Sequence, residues 1–322
     1  MTNTLHQDAV QANKDSFNED FARKYEQRES QRILSLLFLK HILEMDISTA
    51  PIERKSEQES AKILGDASLP FNGFTKENTL PNPKTYLTNY PNTIFRPGMK
   101  LLDFACGTGM ITELFVSYLT GHAGEKSEIV GIDIGPTFLK YFNERAAKYS
   151  SENISMRSYE YDILDSSISK ELNKFDSFFD AIVCTISYHH IHNYEQVTKK
   201  LATFLKPGGW LFIIDFYNED VENSSGSKEA GNGSAKAVQH MGGLKKDKLN
   251  HTLGDISGLK NVSSAREFRT QIYQPKEFIV NHCPEEITKR LERGELKERK
   301  GLEGEVDYLV EVSLIYAIGQ KP

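Results

Sequence analysis

The sequence predicts a doubly wound α/β fold, a mostly parallel sheet of seven strands flanked by helices, with a helical N-terminal extension. Two observations carry this. Between residues 100 and 216 short apolar runs alternate with helix-period segments, the pattern of βαβ units. The first of those runs ends in a glycine turn, Cys106-Gly107-Thr108-Gly109, where a ligand-binding parallel sheet needs one.

Residues 1–48 read as helical. Phe17, Phe21 and Tyr25 recur at i, i+4 and i+8, and Ile33, Leu34, Leu37, Phe38 and Ile42 continue an apolar series. Ser35, Lys40, His41 and Glu44 interrupt that series at helical spacing, so residues 33–47 read as an amphipathic helix. Residues 49–98 contain Pro51, Pro70, Pro81, Pro83, Pro91 and Pro97, which break any long element. Strands are expected at 100–105, 128–134, 154–161, 179–185, 210–216, 259–273 and 308–319. Helices are expected at 110–119, 136–149 (Pro136 in its first turn), 194–205 and, more weakly, 244–253. Pro207-Gly208-Gly209 reads as a turn. Residues 219–236 are too rich in Ser, Gly, Asn and charge to bury a core and read as a mobile insertion. Residues 284–300 read as a charged helix. The chain divides into an N-terminal cap, 1–98, and a binding domain, 99–322, with insertions at 219–236 and 274–305.

Composition excludes several classes. With 322 residues, 39% hydrophobic and 26% charged, the chain can bury a full core. A net charge of -6 without a basic cluster disfavours nucleic acid as partner. Three cysteines without a C-x-x-C argue against disulfides and structural zinc and fit a reducing compartment. No run reaches the ~18 apolar residues of a membrane span. Asp8, Asp15, Glu19 and Asp20 are foreign to signal and transit peptides, so the cytoplasm is the expected location.

Ligands of an open parallel sheet bind outside the carboxyl ends of the strands, and chemistry-bearing residues cluster there. Asp103-Phe-Ala-Cys-Gly107-Thr-Gly109 follows the first strand. The dinucleotide pattern G-x-G-x-x-G fails, because Thr112 occupies its third slot. Asp133, at the tip of Ile129-Val-Gly-Ile-Asp-Ile134-Gly, either accepts the hydroxyls of a ribose or caps the helix that Pro136 opens. Tyr161-Asp162-Ile163 follows the third strand and reads either as a ligand contact or as a solvated turn. The fourth strand runs Phe179-Asp-Ala-Ile-Val-Cys184-Thr185-Ile-Ser-Tyr-His-His-Ile191, and Leu205-Lys-Pro-Gly-Gly-Trp-Leu-Phe-Ile-Ile-Asp215 leads into the fifth.

In that order, across residues 100–216, these segments resemble class I S-adenosylmethionine (SAM)-dependent methyltransferases, and within them the small-molecule branch of ubiquinone and menaquinone biosynthesis. Ala105 departs from the pattern, which most often has glycine there. The resemblance implies a Rossmann-like sheet and SAM as cofactor, with Asp103, Ala105, Gly107 and Gly109 forming the first motif. It places Asp133 on the ribose, Asp162 on the adenine amino group and Ile163 against the ring, with Ile134, Cys184 and Thr185 also at the cofactor.

His189, His190 and His192, with Tyr188, are candidates for base or substrate positioning, or else pack under the cofactor. Tyr25 either folds over the cofactor as a lid or belongs to a core stripe with Phe17 and Phe21. The D/N-P-P-Y/F run of base and glutamine methyltransferases is missing at Cys184-Thr185-Ile186-Ser187, and no metal constellation is visible. A small-molecule acceptor is therefore expected. A protein acceptor on the same fold, or a non-catalytic SAM-binding regulator, are the alternatives. Phe71, Phe74, Tyr86, Tyr90 and Phe95 either line an apolar pocket or are ordinary packing.

Overall fold

A computed structural model describes residues 2–48, 63–67, 75–121, 124–217, 237–240 and 243–322. The expected 219–236 insertion, Phe71 and Phe74 lie outside the described residues. Three N-terminal helices, α1 (Thr2–Ser16), α2 (Glu19–Gln27) and α3 (Glu29–Leu43), precede the sheet. The break before α2 has a local cause: Asn18 is extended, and its side chain accepts the Phe21 amide as an N-cap.

The strands are β1 (Ile63–Ala67), β2 (Lys100–Phe104), β3 (Ser127–Asp133), β4 (Ile154–Glu160), β5 (Phe179–Thr185), β6 (Leu205–Phe216), β7 (Lys260–Pro275), β8 (Glu298–Lys300) and β9 (Val306–Gln320). Between them run α4 (Thr112–Leu119), α5 (Pro136–Tyr149), α6 (Tyr194–Phe204), α7 (Lys246–His251), α8 (Lys276–His282) and α9 (Glu285–Glu292). The sheet order is β1-β7-β9-β6-β5-β2-β3-β4, with β8 added to β9. β2 pairs in parallel with both β3 and β5, β3 with β4, and β5 with β6, while β9 is antiparallel to β6 and β7. This is the doubly wound α/β class that the alternating pattern predicts.

Strand alternation assigns each face its own core. Leu101, Ile129, Ala181, Val183, Trp210 and Phe212 join α3, α4 and α5 on one side. Leu102, Val130, Ile182, Cys184, Leu211 and Ile213 join α6 and α7 on the other. Tyr86 and Phe95 belong to the first core. Tyr86 donates its hydroxyl to the Leu43 carbonyl, and Phe95 packs on Phe115 and Phe212. Tyr90 donates to Glu44. Of the two readings of these aromatics, packing is the one the structure supports for the described three.

Four expectations need correcting. Nine strands are present among the described residues rather than seven, and the reason lies in β7 and β9. They run on past the end of β6: Phe216 pairs with Leu314, and residues 306–313 of β9 continue alongside β7 alone on that side. The overhang is roughly 25 Å at 3.3 Å per residue. Its two edges would be open to stray pairing. β1 covers the β7 edge at Arg269–Ile272, and β8 covers the β9 edge at Val306–Tyr308. Second, Pro207-Gly208-Gly209 is a bulge inside β6. Leu205 sits opposite Phe179 and Trp210 opposite Ala181, and Gly208 takes φ +81° to make the detour. Third, residues 284–300 are helical only over α9 and end in β8. Fourth, α3 is not amphipathic, since Ser35 and His41 are buried along with its apolar residues.

Ion pairs tie the N-terminal helices to the rest of the chain at several places, two sets of them at α2 and its C-cap. Arg145 of α5 contacts Glu26 of α2 at 2.6 Å, Glu113 at 3.0 Å and the Thr108 carbonyl at 3.0 Å. On the far side, Arg23 pairs with Glu303 at 2.6 Å and Arg28 with Glu305 at 3.4 Å, both at the surface. The half-buried Arg145 cluster contributes more than the exposed pairs. Arg145→Leu is expected to lower stability by about 2 kcal/mol, read by denaturant titration, and to bring faster limited proteolysis within α2.

Candidate functional site

A cavity of about 1180 Å³ opens along the C-terminal ends of β2, β3, β4 and β5, roofed by α1 and α2. Ala105, Gly107, Asp133, Ile134, Asp162, Ile163 and Thr185 line it, as do His189, His190 and Tyr25. Residues chosen from four separate strand ends and from α2 thus converge on one space.

Asp133 is the hinge of this wall. One carboxylate oxygen accepts the Gly107 amide at 2.8 Å and the other the Gly135 amide at 2.8 Å. Asp133 is not the N-cap of α5, which is Gly135 without a side-chain bond; the carboxylate organises the turn before the helix and lines the cavity. Burial raises its carboxyl above the ordinary value, against the opposing pull of the Gly135, Gly107 and Ile134 amides. Ala105 has φ +54°, the left-handed conformation that glycine adopts without steric cost. The alanine thus keeps the backbone that the glycine motif requires, at some strain.

Three predicted contacts do not reach the cavity. Asp103 is 1% exposed and lies beneath the turn, where it accepts the Thr112 hydroxyl. Gly109 faces the core. A Cβ there would come within 2.7 Å of the Phe142 ring, so the residue serves close packing of the turn on α5. Cys184 points into the opposite core because adjacent strand residues alternate faces, leaving Thr185 at the cavity.

Asp162 has a partner that its local sequence does not reveal. Its Oδ2 is 2.9 Å from Nε2 of His6 in α1, and its Oδ1 accepts the Leu164 amide. Burial favours the neutral carboxyl, but the His6 and Leu164 bonds outweigh it and lower its pKa. Phe17, Phe21 and Tyr25 gather round Phe138 in the first turn of α5, with centroids 5.5, 6.2 and 6.0 Å away. Phe17 also meets His190 edge-on. The aromatic stripe is packed and lines the cavity at once. Burial raises the Tyr25 phenol to about 12.

His189 is coupled to Asp215 at the end of β6. Its Nδ1 lies 2.7 Å from Asp215 Oδ1, and its backbone amide donates to Oδ2. A carboxylate at Nδ1 selects the tautomer with its lone pair on Nε2. Burial pushes His189 down to about 3 and Asp215 up to about 6. The His190 ring lies 4.0 Å from that of His189, tilted against it by 41°. Asp215 and His6 were not among the predicted site residues. The position of Asp215 after a parallel strand is a readable signal, whereas His6, 156 residues from its partner, carries none.

Residues 95–289 match the family model described as "Methyltransferase domain". The match covers more than half of the chain, which belongs to this methyltransferase domain family. An uncharacterized methyltransferase of Schizosaccharomyces pombe is 29% identical over 211 residues, 65% of each chain. The mitochondrial ubiquinone biosynthesis O-methyltransferase of Rattus norvegicus is 32% identical over 150 residues, 47% of this chain and 38% of that protein. The alignments thus span less than two thirds of either relative's length. A solved SAM-dependent methyltransferase from Aquifex aeolicus superposes with a TM-score of 0.41 at 15% identity, over 75% of this chain and 90% of that one.

Burial beneath the turn raises the Asp103 carboxyl to about 7, with the charge of Asp133 adding to it and the Thr112 bond opposing. The unfolded carboxyl titrates near ~3.9. Between those values the native state holds more protons than the unfolded one, so this group's contribution to stability falls as pH rises. Asp103→Asn is expected to flatten that decline between pH 4 and 7 in denaturant titrations at several pH values.

Proposed function

We propose that this chain transfers the methyl group of SAM to a small molecule held in the same cavity. The observation that carries the reading is the Asp133 carboxylate, fixed by two backbone amides at the cavity wall beside the Gly107 turn. Each of its oxygens keeps acceptor capacity beyond its amide bond, so the pair suits the two hydroxyls of a ribose. Ala105 and Gly107 put backbone rather than side chain at the wall, leaving room for the amino-acid end of the cofactor. Ile134 and Ile163 offer apolar faces for the adenine, and Asp162 accepts its amino group, while Thr185 and Tyr25 close the remaining wall. These donor and acceptor types fit the group.

The cofactor supplies a methyl carbon already activated by its sulfonium. The protein then has to align the acceptor, exclude water and take up a proton where the acceptor carries one. α1 and α2 form one side of the cavity's lining. We assign the proton to His189, whose ring burial keeps neutral at rest and whose protonated form the Asp215 carboxylate at Nδ1 would orient and stabilise, and the positioning of the acceptor beside it to His190. The apolar and aromatic side chains of the cavity wall, Phe38, Phe278 and Tyr308 among them, support a small acceptor over a protein.

S-adenosylhomocysteine is expected to bind with micromolar affinity in calorimetry, and Asp133→Ala to weaken it at least 100-fold. Heat with NAD and none with S-adenosylhomocysteine would overturn the reading. With labelled SAM and a cell extract, label is expected in the small-molecule fraction. His189→Asn is expected to cut that transfer by about 100-fold or more with S-adenosylhomocysteine affinity within twofold. Label confined to protein would replace the small acceptor with a protein one, and binding without any transfer would indicate a regulator.

A further inference from the structure

The cavity is larger than the roughly 300–1,000 Å³ of an ordinary single-ligand pocket, and its far end has a different chemistry from the strand-end half. There the wall is the overhanging β7–β9 ladder facing α3 and α8. Leu34, Phe38, Phe216, Phe278 and Tyr308 give it apolar and aromatic surface, with Gln31, Ser35, Lys276 and Glu277 also on the lining. Gln274 is a buried amide in that wall. It stands opposite Tyr308 in the ladder, lines the cavity and is 1% exposed, yet neither Nε2 nor Oε1 has a hydrogen-bond partner among the described residues. A buried amide left unsatisfied on both atoms is unfavourable and uncommon. For packing alone, methionine would fill nearly the same volume without that cost. A primary amide presents a donor and an acceptor side by side, so the group that satisfies it presents the complementary pair.

We propose that Gln274 is the polar anchor of the methyl acceptor, a molecule with an apolar, ring-sized body bearing a hydrogen-bond donor and acceptor side by side, as in a primary amide or a hydroxyl next to a carbonyl. This rests on the strand-end half of the cavity being the cofactor site. The apolar body lies against Phe38, Phe278 and Tyr308, and the polar edge pairs with Gln274. Its specificity comes from the penalty on any ligand that leaves the amide unpaired, an effect that discriminates far more strongly than apolar contact.

The test uses the full chain and Gln274→Met, with benzamide and ethylbenzene as probes of similar shape. In the ligand-free protein, removing an unpaired buried amide is expected to raise the thermal midpoint by about 2–4 °C. A fall instead would mean that the amide is satisfied within the fold and would overturn the proposal. In calorimetry on protein saturated with S-adenosylhomocysteine, the wild type is expected to prefer benzamide at least tenfold. Gln274→Met is expected to lose that preference while holding S-adenosylhomocysteine within twofold. Equal binding of the two probes by the wild type, or a preference that survives the substitution, would overturn the anchor. If S-adenosylhomocysteine does not bind, the cofactor assignment fails, and the same probe comparison on the free protein still decides the role of Gln274.

Discussion

The strand-end half of the site depends on one carboxylate holding two backbone amides. Asp133 clamps the glycine turn after β2 through Gly107 and the entry to α5 through Gly135. Charge-assisted bonds of this kind are short and strong, and here they are made in a part-buried setting. The consequences spread outward. The turn exposes backbone to the cavity, and α5 starts where Phe138 can receive Phe17, Phe21 and Tyr25. Arg145, further along α5, then reaches Glu26 and secures α2 above. Floor, wall and roof are therefore linked through one side chain.

The cavity's other half obeys a different constraint. It exists because β7 and β9 outrun β6. An overhanging ladder has two unpaired edges, and the short β1 and β8 pair with them. The two added strands are thus the structural requirement of a wall tall enough to face α3. The bulge at 206–209 lies at the opposite end of β6, where Lys206 pairs with Asp180 away from the cavity.

Much of this was legible because it is local. Strand positions followed from apolar runs, and the convergence of Gly107, Asp133, Asp162, Thr185 and His189 followed from the rule that a parallel sheet binds at its strand ends. What was not legible depends on facing or distance. Cys184 and Thr185 are neighbours in one motif, but strand alternation sends one to the core and the other to the cavity. Asp103 and Gly109 flank the turn in sequence yet serve Thr112 and Phe142 beneath it. The polar residues of α3 suggested a solvent face, and the fold buried Ser35 and His41 anyway. The partnership of His6 with Asp162, and the burial of the Gln274 amide in the cavity wall, arise only when distant segments meet.

The overhanging wall also bears on how such a protein diversifies. A β ladder is held by main-chain bonds that are indifferent to side-chain identity, so positions such as 274 and 308 can be exchanged without disturbing the backbone that carries them. The strand-end half lacks this latitude, since a left-handed residue and a carboxylate tied to two amides tolerate few replacements. Mutational drift is thereby steered toward one end of the cavity, and selectivity can wander there while the machinery beside it stays put.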